Sequence, residues 1–487
     1  MSIEANPRRA ALPVVAVGVA VAALLAGCSY RMDRIDNPVK MPVAWDAMNT
    51  PNAKEGVQND WWTGFSSPVL EKLIAQALQD NPSLIVTEER LKQAERTLSG
   101  ARDGLFPELS VNASTGKGQT TTKGSAIALL DGTSKTESSS TSLALRYNVD
   151  LWGATAARYR ASVATFIGTR YDTDLARIQL ASNVARDYFN LLSVRSRVDI
   201  ARENLAIAER LLRIIDSRYR NGTIRLYDLT QQTTTVLQQR TALIPLENQL
   251  RQAETALGLL LGVTPQEFHI EGEPIEQLKV PEIAPWLPGD MLLRRPDIAA
   301  AETDMAAARA NMVVARASLI PVSLSLSATG TSTSTDLLSL GDARTYSVQG
   351  LLTLATGIFD YRARHNSYLN AKSNEYIALV NYGQTIRTAL KEVDDDLASV
   401  EANLRAEESQ KATVDQAQKA LDLASVGLRE GSQGIEDVLN AQRTLFTAKD
   451  SLAQARLTRL TSAVTLYVAL GGGWTAPSEP EASTGSK

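Results

Sequence analysis

Side chains able to do catalytic or metal chemistry are few in this chain and poorly grouped. The two histidines, His269 and His365, stand far apart and lack the spacing of a metal-ligand pair. The seven methionines are scattered, which gives no soft-metal relay. No glycine-rich phosphate loop occurs. Asp394-Asp395-Asp396 is a charge run of the sort that sits on a solvated helix face. The chain is therefore expected to be no enzyme and to carry neither metal nor cofactor. Two other carboxylates are placed to act through their field rather than through bond making. Asp228 and Asp437 follow Gly222 and Gly431, at points where a helix should begin and its dipole favours negative charge.

The single cysteine is more telling. Cys28 closes the run Leu25-Ala26-Gly27-Cys28, after Arg8-Arg9 and a small-residue apolar stretch from Ala10 to Ala26. A basic start, a short apolar core and small cleavage-site residues make a secretory signal over 1–27. The stretch falls short of the ~20 apolar residues that a spanning helix needs. The tetrapeptide resembles a bacterial lipobox, which implies cleavage before Cys28 and lipidation of its thiol. Ser29 follows where an inner-membrane retention signal would have Asp, which favours the outer membrane. With one cysteine no intrachain disulfide can form. A net charge of −4 argues against a dedicated nucleic-acid binder, and an aromatic content of 5% points to long packed helices. No later segment is apolar enough to cross a membrane as a helix, so a spanning region would have to be a β-barrel.

The elements that must position Asp228 and Asp437 come in two copies. Arg220-Asn221-Gly222-Thr223 recurs as Arg429-Glu430-Gly431-Ser432, and Leu261-Gly262 as Leu470-Gly471, both at an offset of 209. Upstream, Pro82/Pro296 and Leu105-x-Pro107/Leu319-x-Pro321 recur at an offset of 214. Solenoid repeats run roughly 20 to 50 residues, so two large equivalent units are built side by side. In each, a Pro-led helix gives way to residues alternating with a period of two: Leu109, Val111 and Ala113 in the first, Val322 to Ala328 in the second. The Gly/Ser/Thr/Lys-rich stretch Gly116–Ser140 reads as a long exposed loop, and alternation resumes at Leu143–Val149 and Tyr346–Ala355. Four strands of about ten residues suit a tilted membrane strand, but the smallest membrane barrels have eight. Spanning would require an oligomer, and three chains would supply twelve strands. Two soluble hairpins capping a helical bundle is the other reading.

The helices that follow carry a stronger signal. Leu191, Val194, Val198, Ala201, Leu205, Ala208, Leu212, Ile215 and Tyr219 recur in steps of three and four, and Leu229, Val236, Leu243, Leu250 and Leu257 in strict sevens. A sustained period of 3.5 means left-handed coiled-coil packing. A continuous helix from Ala154 to Arg220 would be ~100 Å long. Gly222 and Gly431 break the helices where the chain reverses, and Pro245 should kink or interrupt the first returning helix. In the second copy Glu407 and Gln410 fall on the equivalent seam and make it less apolar. The expected organisation is a signal peptide (1–27), a lipidated N-terminal segment (28–80), a first repeat (81–264), a linker (265–294), a second repeat (295–474) and a disordered Pro/Ser/Glu-rich tail (475–487).

Several signatures occur in order: Asp60-Trp61-Trp62-x-x-Phe65, Asn81-Pro82, Asp150-Leu151-Trp152-Gly153, Leu257-x-x-Leu260-Leu261-Gly262, and Leu287-Pro288-x-x-Met291-Leu292-Leu293-Arg294-Arg295-Pro296-Asp297. With these the chain resembles outer membrane factors of the TolC type, in the NodT/OprM-like lipoprotein branch that serves resistance–nodulation–division efflux pumps. Thr356-Gly357-Ile358-Phe359-Asp360 departs from the family pattern, which has a Pro before its Leu-Phe-Asp. The resemblance implies an α+β membrane protein, a homotrimer with a twelve-stranded barrel in outer membrane lipid continued by a periplasmic α-helical coiled-coil barrel. Its partners would be a periplasmic adaptor protein and an inner-membrane pump, and its function that of a passive exit duct for small molecules. A duct for secreted proteins and a non-conducting lipoprotein scaffold are the alternatives. The resemblance further implies that Asp437, with Asp228 as its copy, lines a periplasmic gate whose second acidic position falls on Asn440. It implies that Gly222, Thr223, Gly431 and Ser432 meet the adaptor, and it allows Asp394–Asp396 to line a tunnel.

Overall fold

The computed structural model describes residues 39–42, 45, 60–122, 132–264, 266, 268–281, 288–291, 293–334, 345–356 and 360–475. The signal peptide, Cys28, residues Gly357–Phe359 of the departing motif and the tail beyond residue 475 lie outside them. After a short 3-10 turn at Trp61–Phe65, the elements are α1 (Pro68–Asp80), α2 (Pro82–Asp103), β1 (Glu108–Thr122), β2 (Gly132–Val149), α3 (Ala154–Arg220) and α4 (Leu226–Leu260). A 3-10 turn at Ile275–Gln277 and a single helical turn at Pro288–Met291 lead to α5 (Pro296–Ala317), β3 (Val322–Ser334), β4 (Thr345–Thr356), α6 (Tyr361–Glu430) and α7 (Ile435–Ala469). No described helix is long and apolar enough to cross a membrane.

One compact unit draws its described residues from 92–167 and 302–380 and contains all four strands. They form one antiparallel sheet in the order β1-β2-β3-β4, which leaves β1 and β4 as edges. Cross-strand partners share a face. Leu109 pairs with Leu145, Val111 with Leu143, Leu145 with Ala328, Tyr147 with Leu326 and Leu326 with Leu352, which sets one apolar face. On the other face Ser110 pairs with Ala144, Asn112 with Ser142, Ser142 with Thr331 and Thr331 with Ser347. The apolar face is not covered: Leu109, Val111 and Leu352 are 63%, 70% and 64% exposed.

The strands run 15, 18, 13 and 12 residues, longer than the alternation alone indicated. Most of the stretch Gly116–Ser140, expected as a loop, is instead a two-stranded ribbon. Cross-strand pairs hold it: Ser114 Oγ to Ser140 Oγ at 2.8 Å, Thr121 Oγ1 to Thr133 Oγ1 at 3.2 Å, and the ion pair Lys117–Glu137. Threonine favours the pleated conformation, and with both faces polar no alternation was there to be read.

The second unit draws its described residues from 39–91, 168–301 and 381–475 and holds the principal core. Phe65, Leu70 and Ile74 of the N-terminal segment pack with Val184, Tyr188, Phe189 and Leu257, all fully buried. Trp61 stacks on Tyr467 with ring centroids 5.3 Å apart, a packing role. Two glycines fix the close approaches. Gly262 (φ +70°) and Gly471 (φ +93°) follow α4 and α7, where a Cβ would lie 2.5 Å from the Asp80 carbonyl oxygen and 1.8 Å from that of Arg294. Pro245 does not interrupt α4, which runs unbroken from Leu226 to Leu260.

Candidate functional site

The two helical hairpins, α3–α4 and α6–α7, end in closely similar turns. Gly222 and Gly431 take φ of +73° and +77° with open space around them. Thr223 donates its backbone N–H to the Arg218 carbonyl at 3.0 Å, and Ser432 to Gly427 at 2.9 Å, the i to i−5 bond of a glycine-ended helix. The hydroxyls of Thr223 and Ser432 donate to the same carbonyls. All four residues therefore have a complete structural role, and their outer surfaces remain exposed or half-buried.

Asp228 and Asp437 stand three residues after the cap position of α4 and α7. Asp228 accepts from the Arg225 backbone N–H at 3.2 Å, and Asp437 from that of Gly434 at 3.0 Å. Each carboxylate thus satisfies a free donor at a helix start and meets the positive end of the dipole. The copies then diverge. The Arg225 guanidinium lies 3.4 Å from Asp228 and stacks toward Tyr227, 5.9 Å from the ring centroid. Its repeat equivalent, 209 residues on, is Gly434, which brings no cation to Asp437. The two carboxylates bond within their own turns. One turn beyond Asp437, Asn440 accepts from Arg443 at 2.9 Å.

The acidic run on α6 is not one solvated face. Asp395 pairs with Lys391 at the surface, while Asp396 is half-buried. Burial and the neighbouring Glu392 charge push the Asp396 carboxyl up to about 6. Among the described residues no group of three His, Cys, Asp or Glu is placed to hold a metal ion.

Two arrangements were not visible in the sequence. The first is a clamp at the start of each repeat. Asn81 donates to the Leu260 carbonyl at 2.8 Å and accepts from the Leu84 N–H at 3.0 Å, joining α2 to the end of α4. In the second repeat Arg295 takes that place and donates to the Ala469 carbonyl at 2.8 Å. It also meets Asp297 at 2.6 and 3.0 Å and Glu392 at 2.8 Å. Burial disfavours the charged guanidinium, but these two carboxylates more than offset it and the pKa is raised. The motif Arg294-Arg295-Pro296-Asp297 was the available signal; Glu392 lies too far along the chain to be linked to it by pattern.

The second is the partner set of Glu407, flagged only as a polar seam position. Its carboxylate receives Arg456 at 2.9 Å and Arg459 at 2.7 Å, with 14% of its side chain exposed.

Comparison with known proteins gives the geometry its context. The family model described as outer membrane efflux protein matches residues 73–263 and 287–472. The pyoverdine export outer membrane protein OpmQ of Pseudomonas aeruginosa is 32% identical over 454 residues, covering 93% of this chain and 95% of the relative. The toluene efflux pump outer membrane protein TtgF of Pseudomonas putida is 30% identical over 483 residues, covering 94% and 96%. Among solved structures, the CmeC outer membrane channel of Campylobacter jejuni superposes with a TM-score of 0.80 over 92% of this chain and 95% of that one. At 22% identity that likeness speaks for the fold alone.

Proposed function

The chain belongs to the outer membrane efflux protein family, and from that premise we propose that three copies close into an exit duct of a tripartite efflux pump. The observation that carries this reading is the open-edged sheet with one apolar and one hydroxyl-lined face. Unpaired edge strands are intolerable in lipid, so the sheet must find partners, and closure is the arrangement that removes every edge. β4 of one copy meeting β1 of the next is a head-to-tail contact that closes into a ring. Twelve strands exceed the eight-stranded minimum, with lipid outside and Ser and Thr lining the lumen.

Exposed apolar side chains on the helices that precede β1 and follow β4 in the chain support the same closure. Ile85 and Val86 on α2 are 47% and 51% exposed, and Tyr376, Ile377 and Val380 on α6 are 66%, 54% and 50% exposed. In a head-to-tail ring these surfaces are covered by the neighbour, which contributes roughly 25 cal/mol for each Å² of apolar area buried. The repeats 81–264 and 295–474 then serve as quasi-equivalent wedges, which makes a trimer a six-part tube.

At the periplasmic end, three copies of Asp437 and of Asp228 form an acidic constriction that attracts cations and makes closure sensitive to charge. Asp437 dominates it, because Arg225 offsets Asp228. Asn440 lowers the total charge where an acid would raise it. The tips Gly222-Thr223 and Gly431-Ser432 receive the adaptor, and Cys28 carries the lipid that anchors the first described segment to the membrane. The duct itself exerts little choice of cargo: relatives with matched length are named for pyoverdine export and for toluene efflux.

The mass of the purified protein in detergent tests the assembly, with a trimer expected. A stable monomer with no tendency to associate in lipid would remove the basis for the barrel.

A further inference from the structure

Both repeats place the same pair of side chains at one end of the sheet. In each, the helix before a strand closes on one tight turn. Leu105 and Phe106 donate their backbone N–H groups to the carbonyls of Arg102 and Asp103 at 3.0 Å, and Leu319 and Ile320 donate to those of Arg316 and Ala317 at 3.1 and 3.3 Å. Phe106 and Ile320, equivalent at the offset of 214, stand two residues before β1 and β3 and are 50% and 43% exposed. Arg102 and Arg316 come four residues earlier, are also exposed, and make no ion pair among the described residues. The acid beside the first, Asp103, has Ala317 as its equivalent, so the cation is repeated and the anion is not.

Two aromatic rings lie at the same level. Trp152, three residues after β2, donates its indole N–H to the Val322 carbonyl at the start of β3 at 2.8 Å and leaves its ring 43% exposed. Tyr361, its equivalent at the offset of 209, follows β4 and is 64% exposed. β1 and β3 begin where β2 and β4 end, so the four apolar side chains line one end of the sheet. All six residues belong to the unit that contains the sheet.

The spacing identifies the partner. A bilayer's hydrocarbon core takes ~30 Å of a total of ~40–45 Å, which leaves a headgroup layer of about 5–7 Å on each side. Four helical residues rise about 6 Å, and a helical side chain leans toward the helix N-terminus, which here is away from the sheet. With Phe106 and Ile320 at the hydrocarbon edge, the guanidinium groups of Arg102 and Arg316 reach the level of the lipid phosphates. Aromatic rings with a polar edge settle at that boundary, and a guanidinium can meet two phosphate oxygens at once. A free phosphate would use the cation and leave the apolar side chains uncovered; a phospholipid meets both. No carboxylate is repeated beside the arginine to hold an ammonium group, so an anionic headgroup fits better than a zwitterionic one.

We propose that Arg102 with Phe106 and Arg316 with Ile320 form two phospholipid sites per chain at the periplasmic rim of the sheet, each selecting an anionic headgroup. The proposal rests on the sheet lying in the membrane, as the barrel reading requires.

The test reconstitutes the purified full-length protein in vesicles of phosphatidylethanolamine and phosphatidylglycerol, re-extracts it in mild detergent and identifies the lipids it keeps by native mass spectrometry. One arginine at a lipid surface gives about a fivefold preference for the anionic lipid. Phosphatidylglycerol should therefore be enriched about fivefold over its share of the vesicle, although the chain's formal net charge is −4. Arg102→Gln with Arg316→Gln should abolish the enrichment, and Arg213→Gln, an exposed arginine of the other unit, should keep it. Phe106→Ser with Ile320→Ser should lower the number of lipids kept without changing their ratio. No enrichment in the wild type, equal enrichment in the double arginine variant, or equal loss in Arg213→Gln would overturn the sites. Vesicle flotation separates this claim from the barrel reading. Protein that floats with the vesicles but keeps both lipids in proportion loses the sites alone, whereas protein that does not float loses both.

Discussion

Replacing Arg295 with Asn puts into the second repeat the residue that the first repeat uses at the same place, yet it should be damaging. Asn81 works in the first copy because Ser83 stands two residues on, whereas the second copy has Asp297 there. Arg295, with 9% of its side chain exposed, balances Asp297 (25% exposed) and Glu392 (44% exposed). Breaking a buried pair by removing one partner costs 3–5 kcal/mol, and the exposure of Glu392 places this case at the lower end, about 3 kcal/mol. The double change Arg295→Asn with Asp297→Ser removes the stranded carboxylate and reproduces the first copy's chemistry. What remains lost is one charged hydrogen bond donated to Glu392, which water can replace, about 1 kcal/mol. Hydrogen exchange of the amides from Leu466 to Gly472, where α7 ends on the clamp, reads these values locally. Protection should fall roughly 100-fold in the single variant and recover to within about tenfold of wild type in the double. Equal loss in both would show that the guanidinium acts by packing and not by balancing Asp297.

Other outcomes follow from the same structure. Asp437→Ala should raise open probability in bilayers or drug leakage in cells, and Asp228→Ala should do so less because Arg225 already offsets that charge; unchanged conductance in a folded Asp437→Ala trimer would exclude the gate role. Gly471→Ala should abolish assembly, since its Cβ would meet the Arg294 oxygen at 1.8 Å, whereas Gly431→Ala, in open space, should cost only the left-handed backbone penalty of ~1–2 kcal/mol; comparing trimer yields tests the contrast. Asp396 has a folded-state pKa raised from 3.8 to about 6, so the folded state holds its proton more tightly than the unfolded state. Stability from this group is full below pH ~4 and is lost as pH rises toward ~6. Asp396→Asn should therefore flatten melting temperature against pH over that window, and an unaltered profile would rule out this titration.

Much of this was legible where local chemistry decides the outcome. Gly222 and Gly431 announced the hairpin turns because an α-helix ending in a left-handed residue has few alternatives to glycine. The heptads of α3 and α4 announced a packed seam because their period is that of the contact itself. Residues 116–122 and 132–140 were misread because neither face of that ribbon is apolar, so threonine's preference for extended backbone had no pattern to reinforce it; 123–131 lie outside the described residues. The Arg295 clamp and the Glu407 fork were hidden for a different reason. Their partners lie 97 and about 50 residues away, and only the fold brings them within reach. Asp228 and Arg225 are three residues apart, and their pairing could have been read from the sequence once the helix start was placed.

Single-channel recording of the purified protein in a planar bilayer tests whether three copies of this chain form a conducting tube across the outer membrane. The expected result is discrete cation-preferring conductance that increases when Asp437 is replaced by Ala. A correctly folded trimer that inserts into the bilayer and passes no current, with or without that substitution, would contradict it.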